Sequence, residues 1–313
     1  MTKKIRSTLI KIIVSVFLFA FILYNVDLPS LVENFKQVNL AYIPFILGLI
    51  VLNYVVSSFR WKQLLIHEGS EKASVRYLTS LYFVGSFFNN FMPTSIGGDV
   101  YKIFKLGQKI ENNADAFSAT FMERFTGMIA LVIISYFGLV QTLDFWLSQL
   151  PAVLVENATF LVIFKIILFV GFWVGAVVAF LSMKILATKI DLVKKVYDSL
   201  MVYKDSKKVL ISGVLTSFIV QLLSVATQYF VLVSLGIDVP FMYTLFVFPV
   251  VFLASIFIPS LNGFGVQDAL YIQFFMAVGV TTELALSASI VYHLFKLSVS
   301  LFGGILYAMG KAD

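Results

Sequence analysis

Six runs of roughly twenty mostly apolar residues fill most of this chain, near 8–24, 40–59, 116–140, 158–183, 209–235 and 284–309. A hydrocarbon layer of about 30 Å is crossed by about 20 residues of helix, so runs of this length read as membrane spans. No water reaches the backbone in that layer, and only a helix satisfies every N–H and C=O within one segment. The fold class expected is therefore an all-α polytopic membrane protein. Composition agrees: 60% of residues are hydrophobic and 13% charged, against about 25% charged in soluble domains. The most polar stretch, Lys184 to Lys208, is too short for a separate soluble domain. Lys3, Lys4, Arg6 and Lys11 precede or open the first run, and no small-residue cleavage site follows it. It reads as a retained span rather than a signal peptide.

Two further apolar stretches, 77–92 and 241–258, end in a break and resume as a more polar helical limb. The first break contains Asn89, Asn90, Pro93, Gly97, Gly98 and Asp99; the second contains Pro259, Asn262, Gly263, Gly265, Gln267 and Asp268. In both, Pro is followed four residues later by Gly. The choice lies between Pro-kinked ordinary spans and re-entrant hairpins over 77–108 and 241–278 that return to their side of entry. Kinked spans would carry Asp99, Lys102 and Lys105 across lipid at about 2.5–3.5 kcal/mol each.

The distribution of cations favours the hairpins. With two hairpins, 19 of the 23 Lys and Arg residues fall in segments on one side, Arg60 and Lys102 among them. The other side holds only Lys36, and Arg124, Lys165 and Lys296 lie within spans. The positive-inside rule then places both termini in the cytoplasm and the chain in the cytoplasmic membrane. Each half reads span, span, hairpin, span, over 1–140 and 158–313, and three crossings before the second half give it the opposite orientation. Inverted repeats with broken helices are a recurring plan of secondary transporters, which bind substrate at the repeat interface. Between the halves, Leu186, Ile190, Val193, Tyr197, Leu200 and Met201 recur at helical spacing among lysines. Residues 184–208 are thus expected to form a basic helix on the anionic inner leaflet.

Several polar residues are candidates for substrate contact. Asp99 follows Gly97-Gly98 at the start of a limb, where it either caps the helix or meets a cationic group. Asn89 and Asn90 either satisfy broken backbone or bind a polar head group. Glu123 and Arg124 lie inside a span, where ionisable groups are costly and mark function. Neighbours on a helix diverge, so each needs a partner elsewhere. That partner is either another helix or, for Arg124, a phosphate that suits the guanidinium fork. His293 and Lys296 share a face of the last span near mid-depth, too deep for the lysine to snorkel readily. The chain has no cysteine, which excludes disulfides and thiolate chemistry. Two histidines far apart suggest no metal site. Neither a nucleotide loop nor an HExxH or GxSxG element is present, so neither a cofactor nor a catalytic residue is expected.

Three elements together resemble the lysylphosphatidylglycerol synthase transmembrane, or flippase-like, family. They are Asn89-Asn90-x-x-Pro93-x-x-x-Gly97-Gly98-Asp99-x-x-Lys102, then Glu123-Arg124-x-x-Gly127, then Pro259-x-x-x-Gly263-x-Gly265-x-x-Asp268. Lys102 stands where the family commonly has Arg, and Gln267-Asp268 where it commonly has Arg-Glu. The resemblance implies translocation or binding of an anionic or aminoacylated phospholipid, or of a polyprenyl lipid. The chain ends at Asp313, just after the last span, so the synthase domain of fused relatives is expected to be absent. Membrane phospholipids are the partners implied, not nucleic acid; self-association and a separate lipid-synthesising enzyme are compatible with it. Two other classes compete. One is an ion-coupled solute transporter using Asp99, Glu123 or Asp268. The other is a lipid-modifying transferase, for which the sequence offers no donor motif.

Overall fold

The computed structural model describes residues 27–67, 69–91, 97–150, 158–171, 200–258, 260 and 263–310, with isolated positions at 20, 22 and 24 and between 173 and 197. Among the described residues the chain is helical and carries no strand. The helices are α1 (Leu28–Lys36), α2 (Ile43–Gln63), α3 (Val75–Phe91), α4 (Gly97–Ile110), α5 (Asn113–Gln141), α6 (Leu143–Ser148), α7 (Ala158–Ile166), α8 (Lys207–Ser234), α9 (Phe241–Phe257), α10 (Val266–Met276) and α11 (Thr282–Ala308). A π turn, Ile167–Gly171, extends α7.

Among the described residues, four helical segments are long and apolar enough to cross a bilayer: Leu40–Gln63, which contains α2, and α5, α8 and α11. They fall within a turn of the spans expected from hydropathy. Most of the expected first span, of the span over 158–183 and of the basic helix over 184–208 lies outside the described residues. Helix α1 lies between the first two apolar runs. Asp27 caps it by accepting the Ser30 N–H at 3.1 Å, and a proline occupies its first turn, two standard start signals.

Two pairs of helices form antiparallel hairpins. In the first, the Tyr77 hydroxyl at the start of α3 donates to the Lys105 carbonyl near the end of α4, at 3.1 Å. At the tip, Asn89 accepts the Gly98 N–H at 2.8 Å. In the second, Tyr243 donates to the Phe274 carbonyl at 2.5 Å, and Gln267 donates to Ser255 at 3.1 Å. The limbs have 17, 14, 17 and 11 residues. At 1.5 Å per residue these are about 25, 21, 25 and 16 Å, each short of a crossing. Close approach of the first pair of limbs depends on glycine, since a Cβ on Gly98 would meet the Gly85 carbonyl.

Packing between the halves is reciprocal. Helix α2 lies on α8; α3 packs on α11, and α9 on α5; α4 lies on α5, and α10 on α11. Each last span therefore holds its own hairpin's second limb and the other half's first limb. A glycine permits each crossing: a Cβ on Gly138 would strike the Leu245–Phe246 backbone, and one on Gly303 the Phe83 backbone.

The helices facing the interior bear polar stripes at helical spacing, with apolar side chains turned outward. On α8, Ser217, Gln221, Ser224 and Gln228 face inward, while Ile211, Leu215 and Ile219 are more than half exposed. This inverts a soluble helix and suits lipid as the outer solvent.

Candidate functional site

The polar stripes converge on a cavity of about 860 Å³, lined from α2, α3, α4, α5, α8, α9, α10 and α11. Both halves contribute. The volume lies in the range of sites for drug-sized ligands, about 300–1,000 Å³.

At one wall stands a charged network. Glu123 on α5 is 3% exposed. It accepts from Arg60 of α2 at 2.7 Å, from Lys102 of α4 at 3.3 Å and from the Tyr82 hydroxyl of α3. Arg60 also donates to Ser217 at 2.9 Å, which in turn donates to Thr126 at 3.0 Å. The Lys102 ammonium lies over the rings of Tyr82 and Trp61, 3.8 and 4.6 Å from their centroids. Beside this network, Arg124 grips Asp99 with both fork positions, Nε at 3.1 Å and Nη2 at 2.8 Å. Charges this deep persist only where paired and hydrogen-bonded, because losing water costs several kcal/mol per ion.

The pairing leaves surplus positive charge. The described lining residues include four cations, Arg60, Lys102, Arg124 and Lys296, against two carboxylates, Asp99 and Glu123. Among the described residues no carboxylate lies within ion-pair distance of Lys296; its ammonium rests 5.4 Å from the Tyr292 ring centroid. Arg60 Nε is buried without a hydrogen-bond partner there. The rim is apolar: Met128, midway along spanning helix α5, Phe252 of α9 and Ile258 just after α9 line the cavity yet are about two-fifths exposed. The Arg124 side chain, beside Met128 on the same helix, is 54% exposed.

Of the residues singled out in the sequence, Asn89, Asn90, Asp99, Lys102, Glu123, Arg124, Gly263, Gln267 and Lys296 line this cavity. Asp268 and His293 do not. Asp268 is fully buried and caps α10, accepting the Gly265 N–H at 2.8 Å and the Ser289 hydroxyl at 2.5 Å. His293 stacks on Phe264, with ring centroids 4.2 Å apart, and its Nε2 is 3.6 Å from Asp268. Gly97 opens α4; Gly265, with a φ of 81°, is the N-cap of α10. Pro93, Pro259 and Asn262 lie outside the described residues.

The cation census assigned Arg60 and Lys102 to cytoplasmic segments. The structure corrects their accessibility: they are 4% and 3% exposed. Helix α2 continues inward past Ser57 and Ser58, and one carboxylate, Glu123, offsets the desolvation of both cations.

The sequence profile of one family, described as lysylphosphatidylglycerol synthase TM region, matches residues 8–304. The chain belongs to that family. Among curated proteins, a UPF0104 membrane protein of Pyrococcus horikoshii is 23% identical, over 94% of this chain and 95% of its own. No solved structure matches the chain. The family is a lipid-related one of integral membrane proteins, which agrees with four apolar spans and an outward-facing apolar surface.

Asn53, Ser57, Ser217, Gln221, Ser224 and Gln228 escaped the sequence reading, and Arg60 entered it only as a cytoplasmic cation. Their signal was available: polar residues spaced three and four apart inside apolar spans. Asn53 binds the Val220 carbonyl at 2.8 Å and Ser224 at 3.0 Å, and Gln221 binds the Gly127 carbonyl at 3.0 Å. Three helices are thereby tied around the cavity.

Proposed function

We propose that this protein translocates, or holds for translocation, an anionic or aminoacylated phospholipid or a polyprenyl lipid. One observation carries the reading: a cavity with surplus cations, drawn from both halves, has an apolar rim exposed midway along a spanning helix. A head group enters the polar interior through that rim while the acyl chains stay in hydrocarbon. Arg124 and Lys296 receive the phosphate, and Asn89, Asn90 and Gln267 meet the neutral polar groups. The two halves are inverted repeats over 1–140 and 158–313. The reciprocal packing supports this, as does a constant offset: Tyr77 and Tyr243, Asn89 and Ser255, Lys102 and Asp268, and Glu123 and Ser289 are all 166 positions apart (243 minus 77, and likewise for the rest). Such repeats change access by moving against each other around a fixed site. The protein resides in the cytoplasmic membrane with both termini inside.

Fluorescent phospholipids in liposomes test the translocation. The purified protein is expected to move an anionic lipid between leaflets faster than protein-free vesicles, and Arg124→Ala to slow it. Folded protein that neither moves nor binds any lipid class overturns the reading. Orientation is tested by single cysteines in this cysteine-free chain. Exposed Asp238 should label from outside and exposed Lys208 only after permeabilisation; the reverse pattern overturns the topology.

A further inference from the structure

We infer that the lipid head group taken by this cavity ends in a phosphate monoester, a dianion, with no cationic group beside the phosphate. This rests on the reading of the cavity as a lipid site and narrows it. Charge is the first argument. Four cations and two carboxylates line the described wall, a surplus of two positive charges. At neutral pH a phosphate monoester carries about −1.5 to −2, its second pKa lying near 6. It matches that surplus, whereas a phosphodiester, with a single negative charge, leaves a cation uncompensated in an apolar surround. Such a residue of charge costs several kcal/mol per ion in a water-poor site.

The second argument concerns what a cationic head group would meet. An aminoacyl ammonium is held most strongly by a free carboxylate. Glu123 is surrounded by Arg60, Lys102 and Tyr82, and Asp99 is held in both arms of Arg124. The Tyr82 and Trp61 faces are covered by Lys102, and Lys296 rests near Tyr292. An incoming cation would find each of these acceptors taken and four like charges around it.

The third argument is donor supply. A monoester presents three terminal oxygens, strong acceptors. Lys296 brings an ammonium with no carboxylate within ion-pair distance among the described residues, and buried Arg60 Nε has no partner there. Arg124, more than half exposed, keeps one guanidinium nitrogen, Nη1, outside its two bonds to Asp99.

Binding of short-chain lipids to the purified full-length protein by native mass spectrometry or thermophoresis at pH 7.5 tests the inference. The probes are dioctanoyl phosphatidic acid, dioctanoyl phosphatidylglycerol, lysyl-phosphatidylglycerol and inorganic phosphate. Phosphatidic acid is expected to bind about tenfold tighter than phosphatidylglycerol, given the strength of one extra unit charge at a few Å in a partly dry site. Lysyl-phosphatidylglycerol should bind weakest of the lipids. Inorganic phosphate, without acyl chains to occupy the rim, should bind far more weakly than phosphatidic acid. Lys296→Gln should abolish the preference for the monoester, and Lys296→Arg should retain it. Equal or tighter binding of phosphatidylglycerol or its lysyl form overturns the inference and leaves the anionic-lipid reading standing. Phosphate binding as tightly as phosphatidic acid overturns the lipid source in favour of a soluble phosphate ester. Failure of all four probes overturns both readings.

Discussion

In the first hairpin, Lys102 of the second limb reaches Glu123 of the span that follows, at 3.3 Å. In the second hairpin the positions 166 residues on are Asp268 and Ser289, and they meet at 2.5 Å. The geometry is shared and the chemistry is not. One half holds its limb with a buried cation, a carboxylate and Arg60; the other uses a carboxylate that caps its own helix and a hydroxyl. Both hairpins are clasped at the base by an equivalent tyrosine, Tyr77 or Tyr243. The frame is thus common to both halves and the site is not: the charged half faces the cavity, and Asp268 of the other half is turned away from it.

This contrast predicts unequal costs. Glu123→Ala strands two buried cations, and breaking a buried pair costs about 3–5 kcal/mol. Thermal unfolding in detergent should show it as the largest loss in this set; a loss no greater than that from Asp268→Ala breaks the contrast. The glycine crossings should instead behave alike. Gly138→Val and Gly303→Val each drive a side chain into backbone of the opposing hairpin, and overpacking costs about 1–3 kcal/mol. Destabilisation at one site alone would contradict reciprocal packing. Asp268→Asn leaves one acceptor oxygen for two donors, the Gly265 N–H and the Ser289 hydroxyl, for about 1–2 kcal/mol. Smallest and again symmetric, Tyr77→Phe and Tyr243→Phe should each cost about 1 kcal/mol, the net worth of one hydrogen bond.

Much of the frame was legible in the sequence. Apolar run length located the four spans among the described residues, and the Pro93/Gly97 and Pro259/Gly263 pairs fall at the junction between the two helices of each hairpin. The rest was hidden for definable reasons. Lysine and arginine were counted by side, which is valid for solvated loops. Arg60 and Lys102 are not in solvated loops: both are buried against one carboxylate, Glu123, on another helix. Asp99 and Arg124 were both singled out, but periodicity along one helix cannot say which charge on a neighbour it meets. Their bidentate pairing appears only when α4 is laid on α5. His293 and Lys296 share a face three residues apart, yet one turns to Phe264 and the other lines the cavity. That separation depends on α10, which packs against the His293 side of α11.

The central claim is that an anionic head group sits among Arg60, Arg124 and Lys296. A phospholipid carrying a photoreactive group in its head, irradiated with the protein in nanodiscs and mapped by peptide mass spectrometry, tests it most directly. The account predicts adducts on peptides holding the cavity residues Asn89, Arg124 and Lys296, reduced by competing phosphatidic acid. Adducts confined to outward-facing positions, such as exposed Val162 and Ile166 of α7 or Ile211 and Leu215 of α8, would contradict it.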